Sequence, residues 1–275
     1  MTSPSSPDSP DSPDSPDPAA SAAAGSTRRR RRRALWWVLG SIGAVVLIGI
    51  VGILVWSQVG VMSAEPEPLA EVTGDPAITI TDTAGAIVLT PADAEPEAGL
   101  VFIPGAKVDP WAYANNLAAL VTEADAAVVI TKPWLNLAFF DPRPLSAFTD
   151  LVPGVDAWAV GGHSLGGVRA CQLAPDADAL VLFASYCAND LSDSGLAVLS
   201  IAGSEDGLST PDKIADARPL LPADARLEVI DGASHASFGD YGPQAGDGTP
   251  TIDDDEMDEA LSALLLPFVA GLAGS

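Results

Sequence analysis

Twenty-three consecutive residues, Ala34 to Trp56, carry no charge, and they follow six arginines in a row, Arg28 to Arg33. As a helix rising ~1.5 Å per residue such a run spans about 33 Å, enough for a bilayer core of about 30 Å. Trp36, Trp37 and Trp56 stand at its two ends, where interfacial indoles are favoured. A cleaved signal peptide is the competing reading. Its apolar region is usually shorter, about 7–15 residues, and the small-residue site near Met62-Ser63-Ala64 is poor. A buried core helix would not follow six arginines and an unstructured tail. The sequence therefore predicts a transmembrane helix within residues 34–60, with the lipid bilayer as its partner.

That helix partitions the chain. Residues 1–33 are expected to be a disordered tail ending in the arginine cluster, because Met1 to Thr27 is Ser, Pro, Asp, Ala and Gly with Ser-Pro-Asp repeating through residues 6–17. No Lys or Arg follows the run until Lys107, so the positive-inside rule puts the tail in the cytoplasm and the C-terminal part outside, in a single-pass cell-membrane protein. Residues 61–75, with Glu65-Pro-Glu-Pro68, read as a short stiff stalk, and 76–275 as one domain. The formal net charge is −24, and from Ser63 onward 33 acids face 7 bases. Such a surface repels a polyanion, which excludes nucleic-acid binding by the domain. Two cysteines exclude a disulfide-framework miniprotein and any Cys-rich metal site, a multi-His site would have to use both histidines, His163 and His235, and no metal or organic cofactor is expected. Outside the cell, Cys171 and Cys187 are expected to pair.

Within the domain, Ala77–Thr81 and Ala86–Thr90 read as a hairpin at a sheet edge. Apolar runs then alternate with helical patterns. The strands are 99–103, 126–130, 157–160, 180–183, 197–201 and 227–230, and the helices 109–123, 165–173, 210–217 and 253–270. Strands apolar on both faces and separated by helices describe an α/β fold, a mostly parallel sheet flanked by helices. The acidic run Asp253 to Glu259 suits a helix start better than a cation site.

The chemistry concentrates in Gly161-Gly162-His163-Ser164-Leu165-Gly166-Gly167, a Gly-x-Ser-x-Gly turn between a strand and a helix. Gly162 and Gly166 permit a bend too tight for flanking side chains. The Leu165 N–H, at the helix start, can stabilise a developing oxyanion. A nucleophilic serine needs an imidazole base, and His163 lies inside the elbow with its side chain leaving in another direction. By elimination the base is His235, after the last strand. Its carboxylate is Asp206, just beyond the penultimate strand, with Glu205 beside it as the alternative.

The chain order Ser164, Asp206, His235 is that of the α/β-hydrolase superfamily. The chain resembles the small bacterial dienelactone-hydrolase-like, family-five group over about residues 97–270. Phe102–Asp109, Lys132–Leu137, Gly162–Gly166, Gly203–Gly207 and Ser234–Gln244 carry the resemblance. It implies a serine hydrolase with Pro104-Gly105 where many relatives have His-Gly, which would make the Ala106 N–H the second oxyanion donor. Dienelactone hydrolases proper use a cysteine nucleophile, so a dienelactone substrate is not implied. Many relatives insert a cap between the strands ending near Ala184 and starting at Ala197. The dozen residues here leave no room for one, which implies an open cleft and small or surface-presented acyl substrates. Lys107, Asp109, Lys132 and Asn136, at strand ends near the mouth, either orient substrate or pin local structure, and Asp240, Tyr241 and Gln244 share that ambiguity. An envelope acyltransferase and a non-catalytic hydrolase-fold binding module are the alternatives to an ester hydrolase.

Overall fold

The computed structural model describes residues 18–273, so the first seventeen residues of the expected tail lie outside the described residues. The described chain forms two compact units, divided between Val55 and Trp56. In the first, the helix α1 (Pro18–Gln58) begins well before the apolar run. Five alanines between Ala19 and Ala24 favour helix there, and continuity with the apolar stretch removes the cost of a new nucleus. One helix among the described residues is long and apolar enough to cross a bilayer, over Leu35–Gln58, and its apolar residues Leu35 to Trp56 are exposed.

The second unit opens with residues expected to be a stalk. Met62 instead bridges to Val108, and α2 (Pro66–Gly74) packs Val72 into the core. Pro66 at the first helical position starts α2 at no hydrogen-bond cost, since that N–H would have had no partner. The sheet follows with β1 (Ile78–Asp82), β2 (Ala86–Pro91) and β3 (Ala98–Ile103), then α3 (Ala118–Thr122), β4 (Ala127–Thr131), α4 (Ser146–Thr149) and β5 (Ala157–His163). After these come α5 (Leu165–Leu173), β6 (Ala179–Phe183), β7 (Ala197–Gly203), α6 (Pro211–Asp216), β8 (Arg226–Ile230) and α7 (Asp254–Ala270). The eight strands lie in the order β1-β2-β4-β3-β5-β6-β7-β8. The first two are the expected antiparallel edge hairpin, with Ile80 opposite Leu89; β2 runs antiparallel to β4, and the rest are parallel.

Alternation along each strand feeds two cores. Leu100, Phe102, Val128, Ile130, Val181 and Phe183 fill one face, closed by α3 and by the Met257, Leu261, Leu265 and Val269 stripe of α7. Val101, Ile103, Val129, Val160, Leu180 and Leu182 fill the other, under α5. Each fully buried side chain of this kind contributes roughly 1.5–3 kcal/mol. The acidic run does start a helix: Asp253 caps α7 by accepting from Glu256 N, while the Glu256 side chain accepts from Asp253 N.

The helix expected over 109–123 is broken into a 3-10 turn, Pro110–Tyr113, and the short α3. Asn115 and Asn116 break it by turning their amides onto Asp258 of α7, at 2.6 and 2.7 Å. Tyr113 points into the core.

Candidate active site

The sheet brings the carboxyl ends of β3, β5, β7 and β8 together at one edge, and each carries one part of the site. At the end of β5, Ser164 sits at φ 52°, ψ −121°, a conformation held only where the surroundings over-determine it. Its N–H donates to Phe183 O at 3.0 Å, and its own carbonyl accepts from Ser185 Oγ at 2.6 Å. The turn must be this tight because β3 passes beneath it. A Cβ on Gly166 would lie 2.0 Å from Ile103 O and 2.5 Å from Pro104 O, and one on Gly162 would lie 2.5 Å from the Gly166 carbonyl carbon. Among the described residues, neither the Leu165 nor the Ala106 N–H has a main-chain acceptor, so both stay available to an oxyanion.

His235 follows β8 and opens a 3-10 turn, Ala236–Phe238. Its Nδ1–H donates to Asp206 Oδ2 at 2.8 Å, and both side chains are buried. Asp206 Oδ1 accepts from the N–H groups of Leu208 and Ser209, each at 2.7 Å. The carboxylate is therefore fixed at both oxygens, and the imidazole has its Nε2 as the nitrogen outside this contact. Glu205, the alternative carboxylate, hydrogen-bonds the Ser204 hydroxyl instead.

Sequence reasoning missed two residues that shape this arrangement. Asp247 binds four main-chain N–H groups: Gly207 and His235 at 3.1 Å, Gly248 at 2.7 Å and Ala236 at 2.8 Å. It ties the loop carrying the carboxylate to the loop carrying the imidazole. Burial pushes its pKa up, but the four donors together hold it below the usual carboxylate range. Only its setting between Gly246 and Gly248, a turn signal, marks it in the sequence. The second is Tyr113. Its hydroxyl accepts from Gly105 N–H at 3.0 Å and so gives its own proton to His163 Nδ1, 2.9 Å away. That contact joins the loop before Ala106 to the elbow.

His163 is thus turned inward and buried. Its ring centroid lies 4.5 Å from that of His235, and its Nε2 is buried without a hydrogen-bond partner among the described residues. Burial, then the neighbouring His235, push its pKa well down, so it stays neutral.

The four residues considered for substrate orientation are all engaged within the body. Lys107 Nζ donates to Trp56 O and Val59 O, both at 3.0 Å. Asp109 caps the Pro110–Tyr113 turn, Lys132 pairs with Asp82, and Asn136 donates to Ser57 O at 3.1 Å. Asp240 and Tyr241 brace the His235 loop: Asp240 N–H donates to Ala112 O at 2.7 Å, and the Tyr241 hydroxyl donates to Gln244 Oε1 at 3.1 Å. Asp240 is largely buried among acids, and burial followed by Asp258, Asp254, Glu65 and Glu71 raises its pKa to about 7. Cys171 of α5 is bonded to Cys187, with Cα atoms 5.5 Å apart. A group of three or more His, Cys, Asp or Glu arranged to hold a metal does not occur among the described residues.

Residues 99–259 match the model of the alpha/beta hydrolase family. No curated protein is similar enough to count as a relative. Among solved structures, the Thermus thermophilus protein TT1662 superposes with a TM-score of 0.50 at 14% identity, covering 72% of this chain and 99% of that one. A thermophilic esterase of Thermogutta terrifontis in its propionate-bound form gives 0.48 at 14% identity, covering 71% and 94%. A bacterial heroin esterase gives 0.49 at 13%, covering 73% and 88%. At these identities the likeness is one of fold.

Proposed function

We propose, from the premise that this chain belongs to the alpha/beta hydrolase family, that it is a membrane-anchored serine hydrolase of ester-type acyl substrates, working outside the cytoplasmic membrane. The observation that carries the reading is the buried His235–Asp206 couple, 2.8 Å long, set on the same sheet edge as the strained Ser164. Ser164 Oγ attacks the substrate carbonyl while His235 Nε2 takes its proton, and Asp206 stabilises the imidazolium so formed. The oxygen of the tetrahedral intermediate turns toward the N–H groups of Leu165 and Ala106; losing one such donor typically costs ~10²–10³ in rate. The protonated His235 then donates to the leaving alcohol. The resulting acyl-Ser164 is cleaved by a water that His235 deprotonates in turn.

Substrate access fits an open site. Only residues 184–196 join β6 to β7, so no cap is inserted there, and Ser164 is partly exposed. Anchoring is supported by the unburied apolar helix after six arginines, and an outside location by the paired cysteines, which persist in oxidising compartments. Ser164→Ala in the full chain, assayed on short p-nitrophenyl esters, tests the chemistry. We expect hydrolysis to vanish with the melting temperature retained; persistent turnover would remove the nucleophile from Ser164.

A further inference from the structure

Four aromatic side chains of the second unit are more than half exposed: Trp56 at 52%, Trp134 at 56%, Phe139 at 58% and Phe140 at 53%. The reaction uses none of them, yet they gather at one place. Trp134, Phe139 and Phe140 lie in the loop after β4, and that loop is bonded to the segment carrying Trp56. Asn136 Nδ2 donates to Ser57 O at 3.1 Å, and Asn136 O accepts from Lys107 N at 2.8 Å. Lys107 Nζ lies 3.9 Å over the Trp56 ring and binds the carbonyls of Trp56 and Val59. Lys107 directly follows Ala106, so this surface adjoins the oxyanion loop.

Trp56 is also the last aromatic residue of the apolar run. It is itself a residue of the second unit. The charges agree. The domain is strongly acidic, but here the acids are paired, Asp82 with Lys132 and Asp141 with Arg143, which leaves the Lys107 ammonium beside the aromatics. Exposed indole and phenyl rings next to a cation suit the headgroup region of a bilayer, whereas unpaired carboxylates would be repelled from it. Soluble surfaces rarely gather large apolar side chains in this way without a partner.

We propose that the Trp134, Phe139 and Phe140 surface seats the body on the outer leaflet of the bilayer that holds the chain's own apolar helix, so that the site takes amphiphilic acyl esters from the lipid–water interface. The inference rests on residues 34–60 being a retained membrane span.

The test uses the full chain in phosphatidylcholine proteoliposomes. The protein's two cysteines form its disulfide, so Phe139→Cys gives a single site for an environment-sensitive fluorophore. Asp224→Cys, in the exposed turn before β8, serves as the control. We expect the label at 139 to emit at shorter wavelength and to be quenched by a headgroup-region nitroxide lipid, and the label at 224 to show neither effect. A label at 139 as wet as that at 224, or one quenched only by a second protein copy, overturns the proposal. Independently, the double variant Phe139→Ser/Phe140→Ser should hydrolyse water-soluble p-nitrophenyl acetate normally but lose about tenfold on a long-chain ester embedded in the vesicles. Equal effects on both substrates would overturn it as well. Carbonate extraction separates the two levels: a chain released from the vesicles sinks the span and this proposal together, whereas a retained chain with a wet label sinks only the proposal.

Discussion

The imidazolium proposed at His235 would be opposed by charge repulsion from a second histidine if both rings could protonate. Burial removes the conflict, because His163 is held neutral while its Nδ1 accepts the hydrogen bond that the Tyr113 hydroxyl donates. His163 then works as a wedge between elbow and oxyanion loop, and Tyr113→Phe tests it. The variant loses two hydrogen bonds, and we expect a stability cost on the order of 1–2 kcal/mol with a fall in kcat and little change in KM. A fall in KM-dependent binding alone would place Tyr113 outside the reaction geometry. Asp206→Asn should be far more severe, a loss of about 10³–10⁴ in kcat without unfolding, because the amide can hold the wrong imidazole tautomer. The residues placed in the reaction were legible in the sequence for a chemical reason. With two histidines in the whole chain, elimination points to His235, and the elbow glycines mark Ser164. Asp247 and Tyr113 were not legible. One is a carboxylate among 33, and the other acts through contacts fifty residues away, which spacing does not reveal.

At the scale of elements, the strands could be placed from apolar runs because a parallel sheet buries both faces. The helices were legible where a cap marks them, as at Thr210 and Asp253. Reading failed where tertiary contacts override local pattern. Asn115 and Asn116 interrupt a helix for the sake of Asp258, and residues 62–74 fold onto the body through Val72 although their composition suits a spacer. The Cys171–Cys187 bond joins α5, the helix that starts at Leu165, to the loop after β6. Closing a loop with a sequence separation of 16 contributes roughly 3 kcal/mol. Reduction, or replacement of both cysteines by alanine, should lower the melting temperature by several degrees while leaving the Asp206–His235 couple assembled. An unchanged melting temperature would contradict that contribution.

For the whole molecule, charge sets the response to pH. Asp240 is raised to about 7 and Asp258 to about 6, chiefly by burial, in a region shared with Glu65, Glu71 and Asp254. Both carboxyls hold protons in the folded state at pH values where the unfolded chain has released them. Their contribution to stability therefore falls as pH rises from about 4 towards 7. His163 acts oppositely below its ordinary value, so the clean observable is a difference between proteins. Asp240→Asn should gain stability over the wild type progressively between about pH 4 and 7 and level off above that, as followed by thermal melts. A pH-independent difference would mean that Asp240 does not titrate in that window.

Activation of Ser164 by His235 is open to one direct measurement. Intact cells expressing the full chain are treated with a fluorophosphonate that does not cross membranes, and the adduct is located by mass spectrometry. A single adduct on Ser164 that disappears in His235→Gln is the predicted result. No adduct on the wild type, or one that persists unchanged in Ser164→Ala, would contradict it.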